Sequence, residues 1–210
     1  MRKINLIIKR MFDIFGSVMG LLLSSPLLLI VFVLIKITMP GPIFFFQERV
    51  GKNGEVFRIY KLRTMKVDVD AEKSFDISKD EMRITSLGRI LRRFKIDELV
   101  QLINVLKGEM SLVGPRPTLK MQTDNYSEYE MQRLKMLPGM TGLAQVNGNI
   151  AISWDERIAY DIEYINGFSV WLDMKILLKT ILIIFCGEEK FSNKKKVSVD
   201  KLQDKQLNSK

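Results

Sequence analysis

The sequence predicts a predominantly helical α+β fold: an N-terminal membrane segment, a small β-hairpin and interfacial amphipathic helices. Three observations carry this. An apolar run without a single charge extends from Ile14 to Ile35. Two aromatic and β-branched stretches flank Gly51-Lys52-Asn53-Gly54, and Asn-Gly in that setting signals a hairpin. Further on, apolar residues recur at three- and four-residue spacing, the period of a helix with one buried face.

The N-terminal run comes first. As a straight helix it reaches ~33 Å, about one hydrocarbon core. It is too long for the apolar core of a cleaved signal peptide, and no small-residue cleavage site follows. Its middle reads Leu21-Leu22-Leu23-Ser24-Ser25-Pro26, a helix-breaking proline at the greatest membrane depth. Proline removes a backbone donor and clashes with the carbonyl four residues back, that of Leu22. Ser24 and Ser25 can offer hydroxyls to the carbonyls so freed. Basic residues flank both ends: Arg2, Lys3, Lys9 and Arg10 before, Lys36, Arg49, Lys52 and Arg58 after. The positive-inside tendency then favours no orientation, so a kinked span and a segment that dips and returns both fit the residues.

Met39-Pro40-Gly41-Pro42 ends this segment, and the hairpin follows. Asp68 to Asp80 is polar and acidic, a loop. One helix is expected over Thr85 to Met110, with Ile90, Leu91, Phe94, Leu99, Leu102, Ile103 and Leu106 on its apolar face and Gly108 as its stop. Gly114-Pro115-Arg116-Pro117 makes a rigid turn. Tyr126 to Leu137 reads as another helix, closed by Pro138-Gly139. Trp154, Ile158, Ile162 and Ile165 mark a third. Val170 to Phe185 is strongly apolar, and its uncharged end is too short to span, so it lies in the interface or packs as core. After Gly187 the chain is lysine-rich and polar, a disordered tail suited to anionic lipid. The expected organisation is a membrane segment (1–38), a catalytic body (39–186) and a basic tail (187–210).

Composition narrows the chemistry. The 210-residue chain is 47% hydrophobic and carries a formal charge of +9, which calls for an anionic partner: nucleic acid, anionic lipid or a phosphorylated substrate. It has no histidine and one cysteine, so an intrachain disulfide, a Cys-cluster zinc site and histidine catalysis are all excluded. Cys186 ends an apolar run and reads as packing. Carboxylates, lysines, arginines and a divalent metal are left to act.

Asp97-Glu98 is the adjacent carboxylate pair that merits weight. Neighbours on a helix point ~100° apart, so one can meet a reacting centre while the other holds a metal. A solvated charged face is the commoner explanation of such a pair. Arg116, fixed between two prolines, suits bidentate phosphate recognition, or else pairs with a carboxylate in a structural turn. Lys61 and Arg63 alternate, and so share one face if the strand continues through both.

These residues lie within longer motifs. Lys95 to Pro117, KIDELVQLINVLKGEMSLVGPRP, resembles the signature of the bacterial sugar transferases, the monotopic phosphoglycosyl transferases. Pro40 to Met65, PGMTGLAQVNG (Pro138 to Gly148) and WLDMKILLKT (Trp171 to Thr180) extend the resemblance in the family's order. It implies that the helix breaks at Ser25-Pro26 and re-enters, leaving both ends on the cytoplasmic face of the bacterial inner membrane. It implies transfer of a sugar phosphate from a UDP-sugar donor to a polyprenyl phosphate acceptor, with release of UMP. Asp97 then corresponds to the nucleophile that forms a covalent phosphosugar intermediate, and Glu98, with Asp97, to the acidic Mg²⁺ site. Lys61, Arg92 and Arg116 correspond to the basic residues around the diphosphate, and Asp173 to an acidic position nearby, while Arg63 and Gln145 are further substrate-binding candidates. No nucleic-acid module is visible, and a homodimer is compatible with the family. Two departures stand out: Val100 replaces a common proline, an expected packing change, and Asn149 stands where the family often has arginine. A catalytically silent membrane scaffold of a glycan assembly complex is the alternative class, against which the intact Asp97, Glu98 and Arg116 count.

Overall fold

The computed structural model describes residues 2–66 and 83–187. The acidic loop and the basic tail predicted above lie outside the described residues. Helix α1 (Arg2–Thr38) is followed by an antiparallel hairpin, β1 (Phe44–Val50) and β2 (Val56–Leu62). Next come α2 (Ser86–Arg93), a 3-10 helix (Ile96–Gln101), α3 (Leu102–Lys107) and β3 (Ser111–Val113). Short α4 (Lys120–Thr123) and α5 (Glu128–Met131) lead to β4 (Gly139–Thr141), α6 (Leu143–Val146), α7 (Trp154–Asn166) and α8 (Val170–Cys186). β3 and β4 pair in parallel.

The hairpin turns where the sequence predicts. Asn53 and Gly54 both take positive φ, 56° and 84°, which Asn and Gly tolerate best. The register pairs Val50 with Val56 and Phe45 with Lys61.

α1 runs without interruption through Pro26, so the predicted helix-break-helix is one continuous helix by its backbone. The side chains reconcile this with the proline. The Ser25 hydroxyl donates to the Leu22 carbonyl at 2.8 Å, the carbonyl that proline leaves without its usual donor, and Ser24 donates to Gly20 at 2.6 Å.

Both halves of α1 pack on the same body. Near its N-terminus the Lys9 ammonium donates to Asp173 at 2.6 Å, and Arg10 donates to the Val105 and Leu106 carbonyls at the end of α3. A cation there meets the negative end of the helix dipole. Asp13 accepts from the Ser111 hydroxyl and the Leu112 N–H, each at 3.0 Å. In the other half, Leu28, Val31 and Ile35, with Met39 just beyond, form a core with Leu62, Leu91 and Val100. Between them Leu22 and Leu23 stand well exposed.

A second core joins Val113, Met136, Val146, Tyr164, Ile165 and Ile176, clamping β3 to α6, α7 and α8. Ser153 and Glu156 form a capping box that starts α7. The outer face of α8 leaves Trp171, Leu178, Ile181, Leu182 and Phe185 exposed. Cys186 is exposed as well, not packed as expected, because α8 has left the core by its last turn.

Two other helix expectations are corrected. The helix predicted over Thr85 to Met110 is three pieces, because Lys95 adopts the left-handed conformation (φ 56°, ψ 22°) and re-aims the chain. Such a conformation costs a lysine roughly 1–3 kcal/mol and is characteristic of functional sites. Tyr126 to Leu137 holds only α5 and a 3-10 turn (Gln132–Lys135), started by a Ser127–Glu130 capping box. α2 sits against the chain leaving β2 because Gly88 lacks a side chain: a Cβ there would lie 1.9 Å from the Thr64 carbonyl oxygen.

Candidate active site

The Lys95 turn decides where the carboxylates point. It carries the chain from α2 into the 3-10 helix and lays that helix against β2. Residues three apart are eclipsed in a 3-10 helix, so Glu98 and Gln101 share a face while Asp97 and Val100 share another. Val100 is buried in the α1 core.

Glu98 Oε1 accepts from Lys61 Nζ at 2.8 Å and from Arg116 Nη2 at 3.1 Å. Burial works to raise the Glu98 pKa, but Arg116 and Lys61 outweigh it and hold the carboxyl at about 2. Glu98 is therefore ionised and serves as the counter-ion that gathers the two cations. Asp97 differs. It is buried, its Oδ1 has no hydrogen-bond partner among the described residues, and burial pushes its pKa up with Glu98 adding to the effect. Lys61 and Arg92 pull the other way. The structure thus sets a carboxylate with an unengaged oxygen beside a cation cluster, whose positive charge lowers the repulsion an anionic group would meet there.

Arg116 is held from behind. Gly139 N–H donates to the Pro115 carbonyl at 2.9 Å, and Arg133 donates to the Arg116 carbonyl at 3.1 Å. Arg133 also pairs with Asp161 at 2.5 Å and donates to the Tyr126 hydroxyl at 2.7 Å. Both members of that pair are buried, and burial raises Asp161 to about 6 against the opposing pull of Arg133.

The structure thus brings Asp97, Glu98, Lys61 and Arg116 together. Arg92, bonded through Nε to the Thr64 hydroxyl at 2.9 Å, is near enough to act on Asp97. The other sequence candidates are elsewhere engaged. β2 ends at Leu62, so Arg63 does not continue the Lys61 face. It turns to the end of α1, where it is buried and donates to the Met39 and Pro40 carbonyls. Asp173 accepts from Lys9 and, at 2.7 Å, from the Tyr164 hydroxyl, and so belongs to the α1 anchor. Gln145 donates to the Met140 carbonyl at 2.9 Å, and its Oε1 is buried without a partner among the described residues. Asn149 has φ 48°, a left-handed conformation that asparagine tolerates better than arginine.

Two residues escaped the sequence reading. A recess is lined by Arg49, Ile59, Lys61, Glu98, Gln101, Arg116, Pro117 and Gly139. Arg49 shares the Lys61 face of the hairpin, since Lys61 opposes Phe45 and Arg49 lies four residues along the same strand. That alternation was available once the turn was assigned. Burial and the neighbouring Arg116 lower Arg49 to about 10, with Glu98 opposing. Gln101 reaches the recess only through the 3-10 geometry. Among the described residues, no cluster of three carboxylate, histidine or cysteine side chains could hold a metal by itself.

Comparison with known proteins places the chain in a family. The sequence model of the family described as "Bacterial sugar transferase" matches residues 4–187. The "Uncharacterized sugar transferase EpsL" of Bacillus subtilis is 40% identical over 87% of this chain and 90% of its own length. The "UDP-glucose:undecaprenyl-phosphate glucose-1-phosphate transferase" of Klebsiella pneumoniae is 39% identical over 90% of this chain. An Aeromonas hydrophila protein, "UDP-N-acetylgalactosamine-undecaprenyl-phosphate N-acetylgalactosaminephosphotransferase", is 42% identical over 86% of this chain. This chain spans under half the length of these last two relatives, 42% and 44%. With the family's extent, the long apolar helix and the carboxylate–cation cluster in place, the chain belongs to the bacterial sugar transferases and is a membrane-associated transferase.

Proposed function

We propose that this chain transfers a sugar 1-phosphate from a UDP-sugar to a polyprenyl phosphate, by way of a phosphosugar bonded to Asp97, as a first membrane step of surface glycan synthesis. The observation that carries the reading is Asp97 Oδ1, buried and unengaged beside a Glu98–Lys61–Arg116 cluster. The named reactions of the Klebsiella and Aeromonas relatives supply the substrate classes.

In the first step an Asp97 carboxylate oxygen bonds to the sugar-bearing phosphorus. The phosphorus–oxygen bond to the nucleotide breaks, and UMP leaves with that electron pair. In the second, an oxygen of the polyprenyl phosphate attacks the same phosphorus and the Asp97 carboxylate departs. A carboxylate attacking a diphosphate meets like-charge repulsion. Lys61, Arg92 and Arg116 offset it and stabilise the charge that develops on the leaving oxygen. Asp97 Oδ1, without a partner among the described residues, supports a Mg²⁺ site, since that ion binds through one or two carboxylates plus substrate phosphates. Asp97 and Glu98 would hold it, and it would neutralise phosphate charge.

The topology reading is a dip. Lys9, Arg10 and Asp13 engage the same body as Leu28, Val31 and Ile35, while Leu22 and Leu23 between them are exposed. A span would part those two groups by about 30 Å of hydrocarbon. The exposed apolar face of α8 suits the interface, with Lys175 stacked 5.5 Å over Trp171. Both ends of α1 would then be cytoplasmic, where a soluble nucleotide sugar can meet a lipid phosphate. The test is UMP release by the full chain in vesicles holding polyprenyl phosphate and Mg²⁺, across a panel of UDP-sugars. Release with none of them overturns the reading.

A further inference from the structure

The recess beside Glu98 holds more hydrogen-bond donors than the protein uses. Gln101 is 2% exposed, lines that recess, and its amide nitrogen has no partner among the described residues. Arg49 Nε is also buried without a partner among the described residues, while its Nη2 donates to Gln47 Oε1 at 2.5 Å. Buried donors are almost always satisfied, so two of them on residues that line one recess point to an acceptor bound there. The charges point the same way. Lys61 and Arg116 share Glu98 Oε1, which leaves Arg49 as a further cation in the recess with no carboxylate partner among the described residues. Asp97 is not part of the lining, so the recess lies beside the nucleophile and not over it.

We propose that Arg49 and Gln101 form a subsite for a phosphate monoester next to the reacting phosphorus. It rests on the transferase reading and adds to it the residues that grip the second phosphate of the reaction. A guanidinium donates a charge-assisted pair of hydrogen bonds to a phosphate dianion, and the glutamine amide adds a neutral one. Two phosphates have this chemistry: the nucleoside monophosphate that leaves in the first step, and the polyprenyl phosphate that arrives in the second.

The full chain in detergent, as wild type, Arg49→Gln, Arg49→Lys and Gln101→Met, separates them. Binding of labelled UMP by equilibrium dialysis needs no turnover. It is expected to weaken roughly 10- to 100-fold in Arg49→Gln and about tenfold in Gln101→Met, with Arg49→Lys between. Single-turnover UMP release without acceptor falls alongside it if the nucleotide fills the subsite. Unchanged UMP binding with tenfold slower transfer from the loaded enzyme to polyprenyl phosphate assigns the subsite to the acceptor. Folded variants in which UMP binding and both half-reactions stay within about twofold of wild type overturn the proposal. Should Arg49→Gln not fold, Gln101→Met decides between the same outcomes. A wild-type chain that binds UMP but cleaves no UDP-sugar overturns the transferase reading and leaves the subsite standing.

Discussion

Lys9→Met removes the ammonium from a buried carboxylate. Lys9 is 6% exposed, Asp173 7%, and their charged atoms are 2.6 Å apart. Breaking a buried pair from one side costs about 3–5 kcal/mol, because the remaining charge is stranded. For a chain of this size that lowers Tm by roughly 6–20 °C. Adding Asp173→Asn removes the stranded charge while leaving an acceptor for the Tyr164 hydroxyl, so the double variant should regain at least half of the loss. The pH dependence follows from the sign of the Asp173 shift. Burial raises its pKa in the folded state, with Lys9 the leading opposing influence. A raised acid means the folded state binds protons more readily than the unfolded one, so this group favours folding at low pH, an advantage that fades as pH rises through the folded pKa. Without Lys9 that pKa rises further, and the deficit of Lys9→Met should be smaller near about pH 5 than near about pH 8. Thermal unfolding of the purified variants in one detergent, at both pH values, reads all of this. A single variant within about 2 °C of wild type, or a double variant no better than the single, refutes the anchor.

Glu98→Gln removes a group ionised down to about pH 2 that raises Asp97. Asp97 reacts as the carboxylate, so activity is lost as pH falls through its pKa; the variant's acid limb should move to lower pH, while the overall rate falls as Lys61 and Arg116 lose their anchor. A pH profile of single-turnover UMP release with an unmoved acid limb contradicts this. Pro26→Ala restores a backbone donor to the Leu22 carbonyl and should push α1 toward a span; accessibility labelling near Met1 that reports the cytoplasm in wild type and variant alike would refute it. Gly88→Ala puts a Cβ 1.9 Å from a backbone oxygen and should cost at least about 2 kcal/mol, seen as a Tm lower by about 4 °C or more.

The parts written in local chemistry were legible in the sequence. Asn53-Gly54 named its own turn, the motif around Ser25-Pro26 named its hydroxyl partner, and the Asp97–Arg116 string carried the family. What escaped depended on backbone conformations that residue type does not announce. Lys95 is an ordinary helix former, and its residue type does not announce the left-handed conformation it adopts, so the break in the helix predicted over Thr85 to Met110 is invisible in the sequence. With that break hidden, the 3-10 geometry that turns Gln101 into the recess was hidden too. Arg63 misled because a strand's end is set by pairing, and β2 stops one residue before it. Asp173 read as a substrate-side acid by motif position, whereas its partner Lys9 lies 164 residues away in the chain.

The mechanism turns on Asp97 carrying the sugar phosphate between the two substrates. The decisive experiment quenches the full chain after a single turnover with a UDP-sugar and Mg²⁺, in the absence of acceptor, and maps the adduct by peptide mass spectrometry. One added sugar phosphate is expected on Asp97, absent in Asp97→Asn and discharged by polyprenyl phosphate. An adduct on another residue, or an Asp97→Asn chain with full turnover, contradicts the mechanism.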